Sequence, residues 1–301
     1  MLRGVVGCAA VPREARVWKG TVRAVFTRSA HVETDAGFVT LGSLALTPHP
    51  CSILWSGFAP DWTPGQHMHI SSADLRMEDG RIVSLHGMQR YTPSFSSSRT
   101  TEKTAVRGVL RVTGDALARM PSQGGFHAAY KQSRGHITPA GGCLSGVIMS
   151  LGGRTGAMLA ASMRRRDWDA FRAAADALAG LGEGLTPAGD DFLGGVLAAM
   201  RYHGKSTGSA LFPDGPANGL ASRLAAKTTP FSGFLLRLST RGLVGLPFSR
   251  WLQAAHRGDD AATLASVAQA ADIGHSSGLD ALAGMLLSFQ ILNGEEPWTG
   301  Y

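Results

Sequence analysis

The sequence predicts an α+β protein, with an N-terminal antiparallel β-sandwich or barrel-like part followed by a mainly α-helical part. Its 301 residues are 44% hydrophobic and 17% charged, which is enough apolar material to form a substantial core. Apolar and polar residues alternate from about residue 17 to residue 112, as they do in half-buried strands. Beyond residue 115 the apolar spacing becomes helical. We therefore predict a β-rich domain at 1–114 and a helical domain at 115–301.

Three segments of the first part carry the strand pattern most clearly. They read WKGTVRAVF (18–26), HVETDAGFVTL (31–41) and LRMEDGRIVSL (75–85). Asp35-Ala36-Gly37 and Asp79-Gly80 interrupt the last two segments, and such residues are typical of hairpin turns. Regular spacing of short strands and turns favours a small sandwich or barrel.

The segment YTPSFSSSRTTEK (91–103) is rich in Ser and Thr and has no apolar period. We predict that it is a loop. Long loops without a pattern often serve function, and we expect this one to act as a wall or lid over a ligand.

The second part shows its helical period first between residues 168 and 181, where one continuous apolar face ends before Gly182. Richness in Ala and Leu, with Gly or Pro between the segments, predicts six more helices. These predicted helices span 191–202, 217–227, 232–240, 249–257, 260–272 and 279–292.

Composition and charge narrow the functional class. No apolar stretch approaches the roughly 18 residues of a membrane span, and the N-terminus is too weakly apolar for a secretory signal, so we expect a cytoplasmic protein without membrane contact. A net charge of +7 suits an anionic partner. The one basic run, Arg164–Arg166, lacks interleaved aromatic residues, so we expect no binding of nucleic acid.

The first candidate loop is LGEGLTPAGDDFLGG (181–195), where glycines and a proline end one helix before another begins. Free backbone N–H groups at a helix start suit a small anionic substrate, which predicts substrate binding at Gly184, Thr186 and Gly189. Alternatively, Asp190 and Asp191 hold a divalent cation, with Mg²⁺ as the candidate cofactor. A purely structural role is also open, in which the acids cap the helix and the glycines allow turning or close helix packing.

The second candidate loop, GHSSGLDALAG (274–284), repeats this design. Ser276 or Ser277 is placed to cap a helix, Gly278 opens it, and Asp280 falls in its first turn. His275 adds a group that exchanges protons near neutral pH, although a structural hydrogen bond is the plainer role for a single histidine. We predict that the two loops face one ligand, with Ser276, Ser277 and Gly278 binding it. The candidate catalytic residues are Asp190, Asp191, His275 and Asp280.

Two weaker signals remain. In KTTPFS, the hydroxyls of Thr228, Thr229 and Ser232 could bind phosphate, and the alternative is a helix end followed by a capping residue. His67 and His69 share one face of a strand without a third metal ligand, which favours packing. The sequence contains no Walker loop or Rossmann fingerprint.

The segments LGEGLTPAGDDFLGG, TTPFS and GHSSGLDALAG, in this order, resemble the LGxGLTPSGDDFLxG, TTxxS and GHTSGxDxLxG signatures of the AllH-like family. The resemblance covers the helical half, and the β half only in general layout. Ala188 stands where the family usually has Ser, and Ser276 stands where it often has Thr. Ser276 keeps the hydroxyl, whereas Ala188 removes it.

The resemblance implies a subunit of a carbamoyltransferase that moves a carbamoyl group between carbamoyl phosphate and a small carboxylate such as oxamate, as in allantoin breakdown. It also implies two partners, an FdrA-like subunit of acyl-CoA-synthetase type and a further carbamoyltransferase subunit. Two other functions stay open: a non-catalytic assembly subunit of that complex, and a stand-alone Mg²⁺-dependent hydrolase that uses Asp190, Asp191 and Asp280 to activate water.

Overall fold

The computed structural model divides the chain into two compact units, Met1–Pro93 with Val244–Leu246, and Ser94–Leu243 with Pro247–Tyr301. The first unit is built from strands and the second from helices, which confirms the predicted α+β class. The structure describes residues 4–12, 16–59, 61–93, 103–121, 124–136, 143–207 and 214–298.

The described part of the first unit forms one nine-stranded sheet that curls into a half-barrel. The strand order is β8-β7-β6-β2-β3-β4-β5-β1-β9. The barrel-like alternative is therefore confirmed and the sandwich is wrong. The strands are β1 (Gly4–Gly7), β2 (Trp18–Phe26), β3 (Ser29–Thr34), β4 (Gly37–Ser43), β5 (Ser52–Trp55), β6 (His67–Ile70), β7 (Asp74–Met77), β8 (Ile82–Ser84) and β9 (Gln89–Tyr91).

The sheet is mixed, which corrects the prediction of a purely antiparallel one. Strand β4 pairs with β5 in parallel, and β1 pairs with β9 in parallel, whereas the other neighbouring strands are antiparallel. Alternating apolar residues show which face of a strand is buried. They carry no information on strand direction, because both kinds of ladder have the same side-chain period.

Alternate side chains of the central strands form the core of this sheet. In β3, Ala30 and Val32 are buried, and Val32 pairs with the buried Val39 of β4. The predicted turn at Asp35–Gly37 joins these two strands, and Asp79-Gly80 joins β7 to β8. Gly80 has a φ of 87°, a conformation that glycine adopts without steric cost.

The second unit contains ten helices among the residues described, and each of the six helices predicted beyond residue 190 overlaps an observed one. None of the described helices is long and apolar enough to span a membrane. The helices are α1 (Lys103–Arg119), α2 (Gly125–Ser133), α3 (Cys143–Arg165), α4 (Trp168–Leu178), α5 (Ala188–Thr207), α6 (Asp214–Ala225), α7 (Pro230–Thr240), α8 (Leu246–Arg257), α9 (Asp260–Ala271) and α10 (Ser277–Leu292).

Helix α1 corrects the strand interpretation of residues 103–112. The Val-rich stretch VRGVLRV has the composition of a strand. It buries Val106, Val109 and Leu110 together with Thr113 and Leu117, which is helical spacing. The strands end at Tyr91, and α1 lies across residue 114, where we placed the domain boundary. Residues 94–102 of the predicted lid at 91–103 lie outside the described part of the chain. The role of this segment as a lid stays a prediction.

Helices α5 and α10 pack closely through two glycines, and this explains why glycine occurs in both. A methyl group added at Gly195 of α5 would lie 2.0 Å from the carbonyl oxygen of Ala281 in α10. A methyl group added at Gly284 of α10 would lie 2.1 Å from the carbonyl oxygen of Phe192 in α5. Backbone atoms of one helix therefore occupy the space of a side chain on the other.

We predict that Gly284→Ala destabilises the protein, because its new methyl group meets rigid backbone and forces the two helices apart. Overpacking of this kind costs about 1–3 kcal/mol, measurable by urea unfolding. The matched control is Gly153→Ala in α3, where a methyl group would have no neighbour within 4 Å. The control should be neutral or stabilising by about 0.5–1 kcal/mol. Equal effects of the two changes would contradict the close packing.

Candidate functional site

The two candidate loops meet at the start of neighbouring helices. Helix α5 begins within the first loop segment, at Ala188, and α10 begins within the second, at Ser277. Thr186 of the first loop and Ser277 of the second are joined by a hydrogen bond between their hydroxyl oxygens, which are 3.1 Å apart. The loops thus share one junction in the second unit, and both helix N-termini lie there.

The first loop presents backbone N–H groups that have no acceptor. Among the described residues, the N–H groups of residues 182–186 donate no hydrogen bond. Gly182 and Gly184 have φ values of 126° and 87°, and Gly184 is exposed with open space around its α-carbon. Free N–H groups ahead of a helix start are chemically suited to bind anionic oxygens.

Asp191 lies at this junction with one carboxylate oxygen unused. Its side chain is half-buried, and its Oδ2 is buried without a hydrogen-bond partner. Burial holds the pKa of Asp191 well above its ordinary value, and the negative charges of Asp280 and Asp190 raise it further. The hydroxyls of Ser277 and Thr186 oppose this shift in pKa by hydrogen bonding to the carboxylate.

Asp280 is fully buried and caps a helix other than its own. Its Oδ1 accepts a hydrogen bond from the backbone N–H of His127, 2.8 Å away in the first turn of α2. Gly124, the residue at the cap position of α2, has no side chain to do this. Burial raises the pKa of Asp280 to about 7. Its Oδ2 is buried without a hydrogen-bond partner.

The two acids have no basic side chain beside them in the part of the chain that the structure describes. The pKa of Asp191 responds to hydroxyls and other carboxylates, and that of Asp280 responds to a hydroxyl and backbone N–H groups. No lysine, arginine or histidine side chain contributes to either pKa. The junction therefore offers two buried acceptor oxygens that only an added hydrogen-bond donor or a cation can satisfy.

Asp190 differs from its neighbour because its carboxylate is fully engaged. Its Oδ1 accepts a hydrogen bond from the N–H of Gly180 at 2.8 Å. Its Oδ2 accepts from the hydroxyl of Ser232 at 2.7 Å and from that of Thr228. Asp190 is buried, so these bonds fix the start of α5 against the chain that enters α7.

This arrangement bears on the predicted metal pair of Asp190 and Asp191. The oxygens of Asp190 already accept three hydrogen bonds from the chain, which leaves Asp191 as the acid with a free oxygen. Among the described residues, no group of three or more His, Cys, Asp or Glu side chains is arranged to hold a metal ion. A magnesium site at Asp190 stays a prediction that the local geometry does not favour.

The KTTPFS segment is engaged within the chain. Thr229 caps α7 by accepting a hydrogen bond from the N–H of Ser232 at 3.1 Å. Its hydroxyl also donates to the carbonyl of Leu185 at 2.6 Å, which ties this segment to the first loop. Thr228 and Ser232 donate to Asp190 instead of facing a ligand. The three hydroxyls therefore stabilise the junction through hydrogen bonds within the chain.

Of the remaining predicted site residues, two glycines pack closely against backbone and His275 is exposed. A methyl group at Gly189 would lie 2.1 Å from the carbonyl oxygen of Leu178, and one at Gly278 would lie 1.8 Å from that of Ala270. Both glycines thus serve close packing. His275 is exposed in the turn before α10. Its role as a proton carrier stays a prediction, as does a role for the hydroxyl of Ser276, the cap residue of α10.

Sequence reasoning missed the start of α2 and the turn at Gly180. A methyl group at Gly125 would lie 2.4 Å from Oδ2 of Asp280, so the carboxylate presses directly on this backbone. Gly180 has a φ of 75° and supplies an N–H to Asp190. The paired glycines at 124–125, which precede an amphipathic segment, could have indicated the start of α2. A helix that begins without its own capping side chain needs a cap from another part of the chain.

The raised pKa of Asp280 predicts a pH-dependent stability. Between the ordinary carboxyl pKa and about 7, the folded state holds a proton that the unfolded state releases, so stability falls as pH rises. Asp280→Asn keeps an oxygen for capping and removes the titration. We expect the melting temperature of this variant to rise relative to that of the natural protein between pH 5 and pH 8.

The control for this pH series is Asp169→Asn, which alters an acid in the first turn of α4 with 91% of its side chain exposed. Its melting temperature should follow that of the natural protein at every pH. A constant offset for Asp280→Asn across the same range would show that Asp280 titrates as an ordinary carboxyl group.

Comparison with known proteins places this junction within a family segment. Residues 178–289 match the family described as "Oxamate carbamoyltransferase subunit AllH". The matched range includes α5 and most of α10, and with them every candidate site residue of the two loops. Searches of curated proteins and of solved structures gave no match. Residues 178–289 of the chain are therefore similar to this family, in the segment that carries the two loop motifs.

Proposed function

We propose that this chain is a subunit of a carbamoyltransferase that acts on small carboxylates, with oxamate and oxalurate as the substrate pair. The observation that carries the proposal is the loop junction itself. It combines free N–H groups at residues 182–186 with unpaired acceptor oxygens on Asp191 and Asp280. The family match to an oxamate carbamoyltransferase subunit supports the same substrate class.

The reaction joins the amide nitrogen of oxamate to the carbamoyl carbon of carbamoyl phosphate. A base takes a proton from the amide nitrogen as the nitrogen–carbon bond forms, and the bond from the carbamoyl carbon to the phosphate oxygen breaks. Phosphate leaves with the electron pair of that bond. In the reverse direction, phosphate attacks oxalurate and oxamate leaves. Both directions need binding of anionic oxygens. The forward direction needs a proton acceptor at nitrogen, and the reverse direction needs the same group, protonated, to return the proton to the leaving nitrogen.

The residues of the junction divide these tasks. The N–H groups of residues 182–186, together with the N-terminal end of α5, are suited to bind phosphate or carboxylate oxygens. Asp191 is our candidate base, because a carboxylate with a raised pKa accepts a proton more readily near neutral pH. Asp190, Thr228 and Ser232 act as positioning residues that hold Asp191 at the helix start.

We propose an FdrA-like subunit of acyl-CoA-synthetase type and a further carbamoyltransferase subunit as partners of this chain. A non-catalytic assembly role is the second candidate. It is favoured by the glycines at 189, 195, 278 and 284, all of which serve close packing within the chain.

The variant Asp191→Asn separates the two candidates. It preserves size and removes the charge, so the base and the acceptor oxygen are weakened while the fold is kept. We predict a loss of about 100-fold or more in turnover of oxamate and carbamoyl phosphate by the complex reconstituted with its partner subunits. The melting temperature should not fall, because Oδ2 of Asp191 makes no hydrogen bond that the substitution would break, and the amide removes a buried acid whose pKa is raised.

The control is Asp169→Asn, a charge removal in the first turn of α4 on an exposed side chain. It should leave turnover and complex assembly unchanged. Normal turnover by the Asp191→Asn complex would contradict a catalytic role and favour the assembly subunit.

A further inference from the structure

We infer that Trp298, in the segment that follows α10, is a positioning residue for Asp191 and acts through the ring of Phe192. The inference rests on the proposed function, in which Asp191 is the candidate base, and deepens it by adding a residue outside both loops. Phe192 is the next residue of α5 after Asp191, and its side chain is 0% exposed. Trp298 is also buried.

The chain after α10 turns back and fixes Trp298 on that helix. Gly294 has a φ of 74°, a conformation that glycine commonly adopts just after a helix. The backbone N–H of Trp298 donates to Oε1 of Gln290, and its indole N–H donates to the carbonyl oxygen of Ala283, both at 3.1 Å. Ala283 directly precedes Gly284, where α10 packs against α5. The indole is therefore held beside the contact between these two helices.

Trp298 and α10 hold Phe192 in two different ways. The ring of Trp298 lies edge-on to that of Phe192, with the ring centroids 6.3 Å apart and the planes at 86°. The carbonyl oxygen of Phe192 lies against Gly284, where an added methyl group would be 2.1 Å away. Because Asp191 and Phe192 are consecutive residues of one helix in a close-packed interior, a change in the position of Phe192 displaces the Asp191 carboxylate.

The aromatic contact extends to α2. Phe126 stacks on Phe192, with the ring centroids 4.2 Å apart, and Tyr130 lies edge-on to Trp298 at 5.4 Å. The hydroxyl of Tyr130 donates to the carbonyl oxygen of Gly114 at 2.8 Å, which anchors this ring as well. Aromatic pairs in these geometries add stability beyond the area that they bury. Trp298 thus completes a cluster of four rings, and the other three rings belong to α2 and α5.

A positioning role differs from a role in stability alone. Loss of buried aromatic volume destabilises a core wherever it occurs. A positioning role also changes the environment of Asp191 in molecules that remain folded. Burial raises the pKa of Asp191, and a loosened start of α5 would admit water and lower that pKa toward its ordinary value.

NMR titration of the Asp191 carboxyl carbon in the full chain tests the inference without reference to the reaction. We expect Trp298→Leu to lower the pKa of Asp191 at a temperature where circular dichroism shows the variant to be folded. The matched control is Trp251→Leu. Trp251 is also buried, donates its indole N–H to Thr113 at 3.0 Å and lies edge-on to Phe289, 5.2 Å away in the last turn of α10. The control should destabilise the protein and leave the pKa of Asp191 unchanged.

Turnover by the assembled complex gives a second readout. Trp298→Leu should lower kcat by about 10-fold or more, because a small displacement of a catalytic group is costly in rate. It should change the KM for oxamate by less than about 3-fold, since the free N–H groups proposed to bind the substrate lie at residues 182–186. Trp298→Phe keeps a ring against Phe192 and should fall between the leucine variant and the natural protein in both measurements. It keeps the test readable if leucine prevents folding.

An Asp191 pKa that is the same in Trp298→Leu and in the natural protein would overturn the inference, as would equal decreases in Trp298→Leu and Trp251→Leu. A higher KM with an unchanged kcat would also overturn it, because Trp298 would then act on binding. Failure of the proposed function gives a different result: the natural complex would transfer no carbamoyl group, while the pKa of Asp191 would still respond to Trp298→Leu and not to Trp251→Leu.

Discussion

Helices α5 and α10 approach so closely that the backbone of each occupies the side-chain space of the other at Gly195 and Gly284. This approach brings the starts of both helices, and therefore both Gly-rich loops, to one place. The hydroxyls of Thr186 and Ser277 meet there, and Asp191 and Asp280 come near enough for the charge of one to raise the pKa of the other. Any larger residue at these glycines would separate the groups that form the junction.

Adjacent acids in the first loop perform opposite tasks. Asp190 points into the protein and accepts three hydrogen bonds, from Gly180, Thr228 and Ser232. Asp191 points to the junction and keeps one oxygen unpaired. The first acid stabilises the loop, and that stability allows the second to remain unsatisfied in the free protein. Unsatisfied buried groups of this kind are energetically unfavourable, and a donor from water or a ligand would stabilise them.

Asp280 combines both tasks within a single carboxylate. One oxygen caps α2 through the N–H of His127, and the other is buried without a hydrogen-bond partner against the backbone of Gly125. The residue therefore connects α10 to the start of α2. Because its burial raises its pKa to about 7, the acid changes its charge in the physiological range, and a ligand that donates N–H groups would favour the ionised form.

The sequence allowed prediction of features set by local pattern. Strand β2 coincides with the segment WKGTVRAVF, and the helices beyond residue 190 overlap their predicted ranges, because apolar period and Gly or Pro punctuation act over a few residues. The different tasks of Asp190 and Asp191 could not be predicted, since they depend on Thr228 and Ser232, which lie 38 and 42 residues from Asp190. The cap of α2 comes from a residue 153 positions away.

The most direct test of this account is a crystal structure of the protein in its assembled complex with oxamate bound. We predict that the amide nitrogen of oxamate lies about 3 Å from a carboxylate oxygen of Asp191. Its carboxylate should lie against the N–H groups of residues 182–186. Oxamate bound elsewhere, or bound here with its carboxylate facing Asp191, would contradict the account.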